Sequence, residues 1–497
     1  MIPDIIRRAA LIAIPAFHIL GFIGVAAYCL RRRREGASTL LWLTVAWSFP
    51  ILGPLLFLML GVTRVPQKAW RTQRANDAFR AERQTRESEA MPLDYWRRLR
   101  ESMADAPEDE TSRTLVKTMN RFGDEFPLLG SNTIETLIGG DAAFPQMLSA
   151  IDDATDHIHL QTYILGNDAT GRLFLEHLAA KARQGIVVRL LYDRIGSTSA
   201  WLRGMLRPYA KIPNFHIDSW HQMDLFQWRF QINLRNHRKA LIIDGKIAFV
   251  GGINLHIENT TRPQGEPIRD YHFIVRGPIV HEMQYTFLRD WHFMSNEDAS
   301  QLLCERHFPL ITPSGQTLIR LVNGGPSSDV ESLTDIYCAA LAAATDQVLI
   351  VTPYFVPPPD ILRAMRLASL RGVSIKLLLP ETGNHPTAAL AGRAFFEDLL
   401  NAGIEIYLRP PPLLHAKALV VDDKIAVVGT VNLDNRSLRL NYETAFTVFD
   451  EPFANELKQF ILEDLAASSR VDLVQWRNRP AGARIRENLC ALLAPVL

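Results

Sequence analysis

Cysteine is scarce in this 497-residue chain: Cys29, Cys304, Cys338 and Cys490 lie far apart, and none stands in a CxxC pair. That excludes a disulfide-stapled scaffold and argues against a cysteine-based zinc site. Net charge is nearly absent as well, +1 from 54 basic and 53 acidic residues. The bulk balance therefore lacks the basic surplus usual in nucleic-acid-binding proteins. An apolar content of 47% against a charged content of 22% excludes a disordered chain. At roughly 150 residues per domain the length suggests about three units.

Uncharged apolar runs stand at the N-terminus. Residues 9–30 and 40–62 carry no formal charge, interrupted in the first by Pro15 and His18. A bilayer core needs about 20 apolar residues in a helix, so both runs are long enough. The four arginines 31–34 form a basic hinge, and Trp42 suits the headgroup boundary. A cleaved signal peptide would need a small-residue site after the first run, where the four arginines stand instead. Pro50, Gly53 and Pro54 suggest that the second run is kinked or re-entrant. Residues 1–63 are thus expected to form a two-helix membrane hairpin. A basic linker, 64–121, follows; residues 64–100 hold ten Lys/Arg against five Asp/Glu. It reads either as a solvated segment or as one lying on anionic lipid.

Beyond this linker the chain repeats itself. Ala154-Thr155-Asp156 leads into an alternating run ending at Thr162-Tyr163, and Ala344-Thr345-Asp346 into one ending at Thr352-Pro353-Tyr354. Each is followed by a helical stretch (172–183, 359–371), a glycine (Gly185, Gly372) and a second apolar strand. Strand, helix, strand in duplicate predicts two similar α/β units, 122–311 and 312–497, with an active site between them.

The strongest signal is a motif that occurs twice. His237, Lys239, Asp244, Gly251-Gly252 and Asn254 match His415, Lys417, Asp422, Gly429-Thr430 and Asn432 at identical offsets. On a strand, residues i and i+2 share a face, so each histidine and its lysine should point the same way. Asp244 and Asp422 complete the motif and read as fixing the turn. A returning strand brings Asn254 and Asn432 back towards the histidines, and the glycines are expected to let backbone approach a phosphate. Two histidines, two lysines and two asparagines make a near-symmetric phosphate site. One histidine must be neutral to attack phosphorus and the other protonated to serve the leaving oxygen, a division that modest environmental differences can set near pH 6.5. Asp270 and Glu443 are the candidate carboxylates that orient the two rings. Asp434 reads as lying outside this constellation. Lysines at the phosphate would repel a divalent ion, so neither metal nor other cofactor is expected.

The paired HxKx4D motifs resemble the duplicated HKD signature of the phospholipase D superfamily. The runs Arg235–Lys239, Thr352–Pro357 and Gly429–Leu438 resemble bacterial cardiolipin synthases in particular, as do the hydrophobic hairpin and the tail from Trp476. That resemblance implies phosphatidyl transfer between two phosphatidylglycerol molecules, giving cardiolipin and glycerol through a phosphohistidine. It suggests His237 as nucleophile and His415 as general acid. It implies a multi-pass protein of the bacterial inner membrane, with phosphatidylglycerol and anionic lipid as partners and no nucleic acid. The catalytic units are expected on the cytoplasmic face, although the arginine hinge and the basic flanks compete for that side. A hydrolytic phospholipase D, a transphosphatidylase with another acceptor and a nucleic-acid phosphodiesterase share the same motif. Departures from the family pattern are Pro410–Pro412 before His415, and Asn384 near a position often acidic.

Overall fold

The computed structural model describes residues 2–31, 36–57, 75–83, 102–105, 107–122, 126–220, 234–262, 265–310, 312–326 and 330–494. Residues 1–68 and 69–497 form two separate compact units. Residues 32–34 of the arginine hinge, residues 58–62 of the second apolar run, and most of the basic stretch 64–100 lie outside the described residues.

In the first unit, α1 (Ile2–Arg31) packs against α2 (Gly36–Ser48) and the short α3 (Leu52–Leu56). The second apolar run is not one helix. Ile51 adopts a left-handed φ of 65°, and Gly53 donates to the Phe49 carbonyl at 2.7 Å. A Cβ at Gly53 would meet the Val45 carbonyl oxygen at 2.3 Å, so only glycine lets the chain fold back this closely. Trp42 and Tyr28 pack edge-on against Phe57. With 13 residues, α2 falls short of a bilayer crossing of about 20. Among the described residues, no helix is long and apolar enough to cross a membrane.

The second unit is built on one mixed sheet. Its first half supplies β1 (Leu128–Ile138), β2 (His157–Thr162), β3 (Val187–Asp193), β4 (Phe215–Trp220), β5 (Ala240–Ile243), β6 (Ile247–Gly251) and β7 (Tyr271–Arg276). Its second half supplies β8 (Thr317–Gly324), β9 (Gln347–Val351), β11 (Ser374–Pro380), β12 (Glu405–Arg409), β13 (Ala418–Val421), β14 (Ile425–Gly429), β16 (Glu443–Phe449) and β17 (Ser469–Arg470), while β10 (Phe355–Val356) and β15 (Leu433–Asp434) pair in parallel as a separate two-stranded sheet. Outwards from the centre the order is β1-β7-β6-β5-β2-β3-β4 on one side and β8-β16-β14-β13-β9-β11-β12-β17 on the other. The first seven strands correspond one to one, so the repeat in the sequence is a repeat in the sheet. The halves join where β1 pairs antiparallel with β8, Leu128 opposite Arg320.

The expected strand–helix–strand units are present. In the first half, α4 (Ala169–Arg183) connects the parallel strands β2 and β3. In the second, α6 (Ser332–Ala343) precedes β9, and α7 (Pro359–Leu370) connects the parallel strands β9 and β11. Leu160, Leu190, Leu241 and Phe174 are buried in the core of the first half; Ile350, Leu377, Leu419 and Met365 occupy the corresponding core of the second. Between α4 and α6 in the chain, α5 (Ile279–Ser295) is buried on almost every side. Its Asp290 holds Arg238 at 2.6 Å, a buried pair adjacent in sequence to His237.

Candidate active site

Each HKD hairpin is tied to the strand beside it by its aspartate. Asp244 accepts from the Thr155 amide and hydroxyl at 2.8 and 2.7 Å and from the Asp156 and His157 amides at 2.8 and 2.9 Å. Asp422 repeats this with Thr345, Asp346 and Gln347 at 2.7–3.0 Å. The Ala-Thr-Asp repeat is therefore the socket of the motif aspartate. Both aspartates have left-handed backbones, φ 51° and 49°, as tight turns allow for this residue type.

The two halves are laced together ahead of the histidines. His237 donates its amide to the Tyr442 carbonyl at 2.9 Å, and His415 to the Arg269 carbonyl at 2.7 Å. This lacing sets each histidine against the carboxylate of the opposite half. His237 Nδ1 lies 2.9 Å from Glu443, and His415 Nδ1 lies 2.6 Å from Asp270. Both rings and both carboxylates are buried, with Glu443 at 0% and Asp270 at 1% exposure. The sequence supplied the two carboxylates as candidates; the crossed partnership comes from the tertiary structure.

The glycines of the motif make room for this arrangement. A Cβ at Gly251 would meet the Tyr271 carbonyl oxygen at 2.6 Å, and one at Gly429 the Thr444 carbonyl oxygen at 2.2 Å. A Cβ at Gly252 would lie 2.1 Å from an Asp270 oxygen. At the matching position Thr430 donates its hydroxyl to Glu443. Asp270 thus needs glycine beside it, whereas Glu443 takes a hydroxyl.

Each motif lysine reaches back to its own histidine. Lys239 Nζ donates to the His237 carbonyl at 2.8 Å, and Lys417 Nζ to the His415 carbonyl. Lys417 Nζ also lies 2.9 Å from His415 Nδ1. Both lysines are buried, and an ammonium taken out of water needs an oxygen acceptor, which the neighbouring carbonyl provides. Burial pushes the Lys239 ammonium down to about 7 and that of Lys417 to about 8, against partial compensation by Glu443 and Asp270.

The environment acts on both histidines in the same direction. Burial pushes both down to about 4, and Lys239 and Lys417 act in the same direction, outweighing the carboxylates. Burial would raise Glu443 and Asp270, yet the neighbouring histidines and lysines hold both below the usual carboxylate range.

Both histidines open into one cavity of about 640 Å³, as do Asn254 and Asn432. Asn254 accepts from the Ile164 amide at 3.2 Å, while Asn432 donates to Ser437 at 3.1 Å and its buried Oδ1 has no partner among the described residues. Neither motif lysine nor motif aspartate lines this cavity. Its cationic walls are Arg235 and Arg436, which sequence reasoning passed over although both stand inside the quoted motif runs. Tyr163 and Tyr354 place their rings edge-on to His237 and His415, at 4.9 and 6.1 Å. Arg235 donates to the Tyr163 hydroxyl at 2.9 Å, and Tyr354 donates to Asn384 at 2.5 Å. Asp434 is not outside the site: it lines the cavity, is buried, and burial pushes its carboxyl up to about 6. Among the described residues, no group of three or more His, Cys, Asp or Glu is placed to hold a metal ion.

A family profile described as "Cardiolipin synthase, PLD-like domain" matches residues 147–291 and 337–465, one match in each half. The chain is 33% identical over 477 residues to "Cardiolipin synthase" of Geobacillus thermodenitrificans (strain NG80-2), covering 93% of this chain and 90% of that protein. It is 31% identical over 490 residues to "Major cardiolipin synthase ClsA" of Bacillus subtilis (strain 168), covering 98% of this chain and 99% of that protein. Among solved structures, a phosphatidylserine synthase of Haemophilus influenzae Rd KW20 superposes with a TM-score of 0.59 at 12% identity. It covers 77% of this chain and 100% of that one, a likeness of fold alone.

Proposed function

Because the chain belongs to the cardiolipin synthase family with duplicated phospholipase D-like domains, we propose that it joins two phosphatidylglycerol molecules into cardiolipin and releases glycerol. The observation that carries this reading is the pair of crossed histidine–carboxylate contacts opening into one cavity.

His237 Nε2 attacks the phosphorus of the first lipid, and the bond from phosphorus to the glycerol oxygen breaks. His415 gives that oxygen its proton. The terminal hydroxyl of a second phosphatidylglycerol then attacks the phosphatidyl-histidine. Its proton passes to His415, the phosphorus–nitrogen bond breaks, and both rings return to their starting states. The assignment of the two rings follows the family resemblance. A bound phosphodiester brings a negative charge that favours imidazolium and ammonium, opposing the effect of burial on His415 and the two lysines. Arg235 and Arg436 hold phosphate oxygens, together with Asn254 and Asn432. Glu443 and Asp270 fix the tautomers and stabilise the imidazolium of each step. Asp244 and Asp422 hold the hairpins. One phosphodiester is exchanged for another, so no nucleotide is required.

We place the chain at the bacterial cytoplasmic membrane. Residues 1–63 are embedded as an apolar hairpin whose second limb is re-entrant, and units 122–311 and 312–497 lie on the cytoplasmic side; the end of the linker, the helix Glu110–Phe122, packs into the core of the second half through Leu115, Val116 and Met119. The support is the outward apolar surface of the first unit, where Leu20, Leu30, Leu40 and Leu41 are all exposed.

The test is purified protein with labelled phosphatidylglycerol as the sole lipid. Cardiolipin and glycerol are expected in equal amounts. Phosphatidic acid alone would make water the acceptor and overturn the reading. His237→Ala is expected to remove the covalent phosphatidyl-enzyme.

A further inference from the structure

Two further helices complete the argument: α8 (Pro386–Arg393) and, at the end of the chain, α9 (Ala481–Ala491). The second of these turns large apolar side chains to solvent. Ile485 and Leu489 are each 59% exposed, and Leu492 and Leu493, just beyond the helix, 75% and 49%. Spacings of four and three residues put them on one stripe. Arg484 and Arg486 are exposed on either side of it, about 100° away by helical geometry. Neither has a carboxylate partner among the described residues. The opposite side of α9 is occupied: Glu487 is buried and pairs with Arg479 at 2.8 Å, and the helix packs against α8.

Those contacts tie α9 to the walls of the reaction cavity. Asn384 and His385, just ahead of α8, line that cavity together with Pro386 at its start. Asn435 donates to the Ala494 carbonyl at 3.0 Å, and its neighbours Asp434 and Arg436 also line the cavity. The apolar stripe is therefore carried by the same scaffold that shapes the site.

We propose that α9 is an interfacial helix whose apolar stripe enters the headgroup boundary of an anionic bilayer, holding the cavity against the lipid surface. The proposal rests on the function above only for the lipid nature of the substrate. An apolar stripe flanked by two exposed cations complements an anionic lipid surface. A second copy of the chain docked on the same stripe would bring like charges together, Arg484 and Arg486 meeting their own counterparts.

The experiment uses the full chain in phosphatidylglycerol-containing vesicles, with the four native cysteines replaced by serine and an environment-sensitive dye on Leu489→Cys. Quenching by nitroxide-labelled lipid and protection from aqueous iodide are expected. Unchanged iodide quenching on moving from detergent to vesicles would overturn the proposal. So would dye burial that depends on protein concentration rather than on lipid, which would mark a contact between copies. A second variant replaces Ile485, Leu489, Leu492 and Leu493 by serine. Its KM in surface concentration of lipid should rise at least about tenfold, given the apolar area withdrawn from the bilayer. Its turnover of short-chain phosphatidylglycerol dispersed in water should be unchanged. An equal loss on both substrates would make the stripe structural and refute the proposal. Should the unmodified chain turn over neither lipid, the proposed reaction fails while the dye still reports on the helix.

Discussion

Asp270→Asn and Glu443→Gln should impair different chemical steps, because each carboxylate stands in the opposite half of the chain from the histidine it orients. Asp270 Oδ2 lies 2.6 Å from His415 Nδ1, while its Oδ1 accepts the Tyr271 amide at 2.8 Å. An amide here has one oxygen for two donors, so either the ring or the backbone faces an NH2 group. A buried hydrogen bond to a charged group contributes roughly 1.5–3 kcal/mol. At about 1.4 kcal/mol per tenfold in rate, Asp270→Asn should slow turnover about tenfold to a hundredfold. Glu443→Gln should fall near the lower figure. Its Oε2 receives both His237 and the Thr430 hydroxyl, and an amide oxygen there still accepts from both. The assay compares phosphatidylglycerol with a phosphatidyl nitrophenyl ester, whose leaving group needs no proton. The ester should rescue Asp270→Asn, which acts through the acid His415, and leave Glu443→Gln slow. Rescue of Glu443→Gln alone would exchange the roles of the histidines. Unmodified rates in both variants would sink the orienting role, and the carboxylates would then be ordinary structural charges.

Gly252→Ala should reproduce the Asp270→Asn defect, at least about tenfold in rate, because the new Cβ meets an Asp270 oxygen at 2.1 Å; normal turnover would show that the carboxylate can move without consequence. Asp422→Asn should lower stability by about 1–2 kcal/mol in a denaturant titration by weakening bonds to Thr345, Asp346 and Gln347. Burial would raise the Asp422 carboxyl, but those donors hold it below its usual range, so the stability it adds is present above about pH 4 and is lost as pH falls through the depressed value. The stability gap between Asp422→Asn and the unmodified chain should therefore close in acid. Deacylated phosphatidylglycerol headgroup should bind with proton uptake at pH 8, since a phosphodiester raises the lysines that burial holds at about 7 and about 8; calorimetry in two buffers of different ionisation enthalpy reads this, and zero uptake would contradict it. Turnover should persist in excess EDTA, because histidine, arginine and asparagine converge on the phosphate; loss in chelator with recovery on adding a divalent ion would refute that.

The sequence alone determined the local geometry of the site. A histidine and lysine two residues apart, a turn aspartate five residues later and an asparagine on the returning segment are placed by one hairpin, so their spacing is readable from one stretch of chain. The duplication was readable for the same reason, and it carried the doubled sheet with it. What the sequence left open was everything that depends on how the two hairpins meet. Glu443 and Asp270 reach their histidines across 206 and 145 residues, and no spacing rule connects positions so far apart. Asp434 and the two cavity arginines were in plain view in the motif runs, but whether a side chain faces a cavity or solvent depends on what the other half places opposite it. What the glycines make room for was not legible either, because a missing side chain makes room for a neighbour, and the neighbour at Gly252 is a carboxylate eighteen residues further along the chain. Likewise the apolar run 40–62 has the composition of a span, yet the backbone break at Ile51 and the close approach of Gly53 to Val45 end its helix at Ser48. Periodicity and composition act within one element; partnership, burial and charge state are properties of the packed whole.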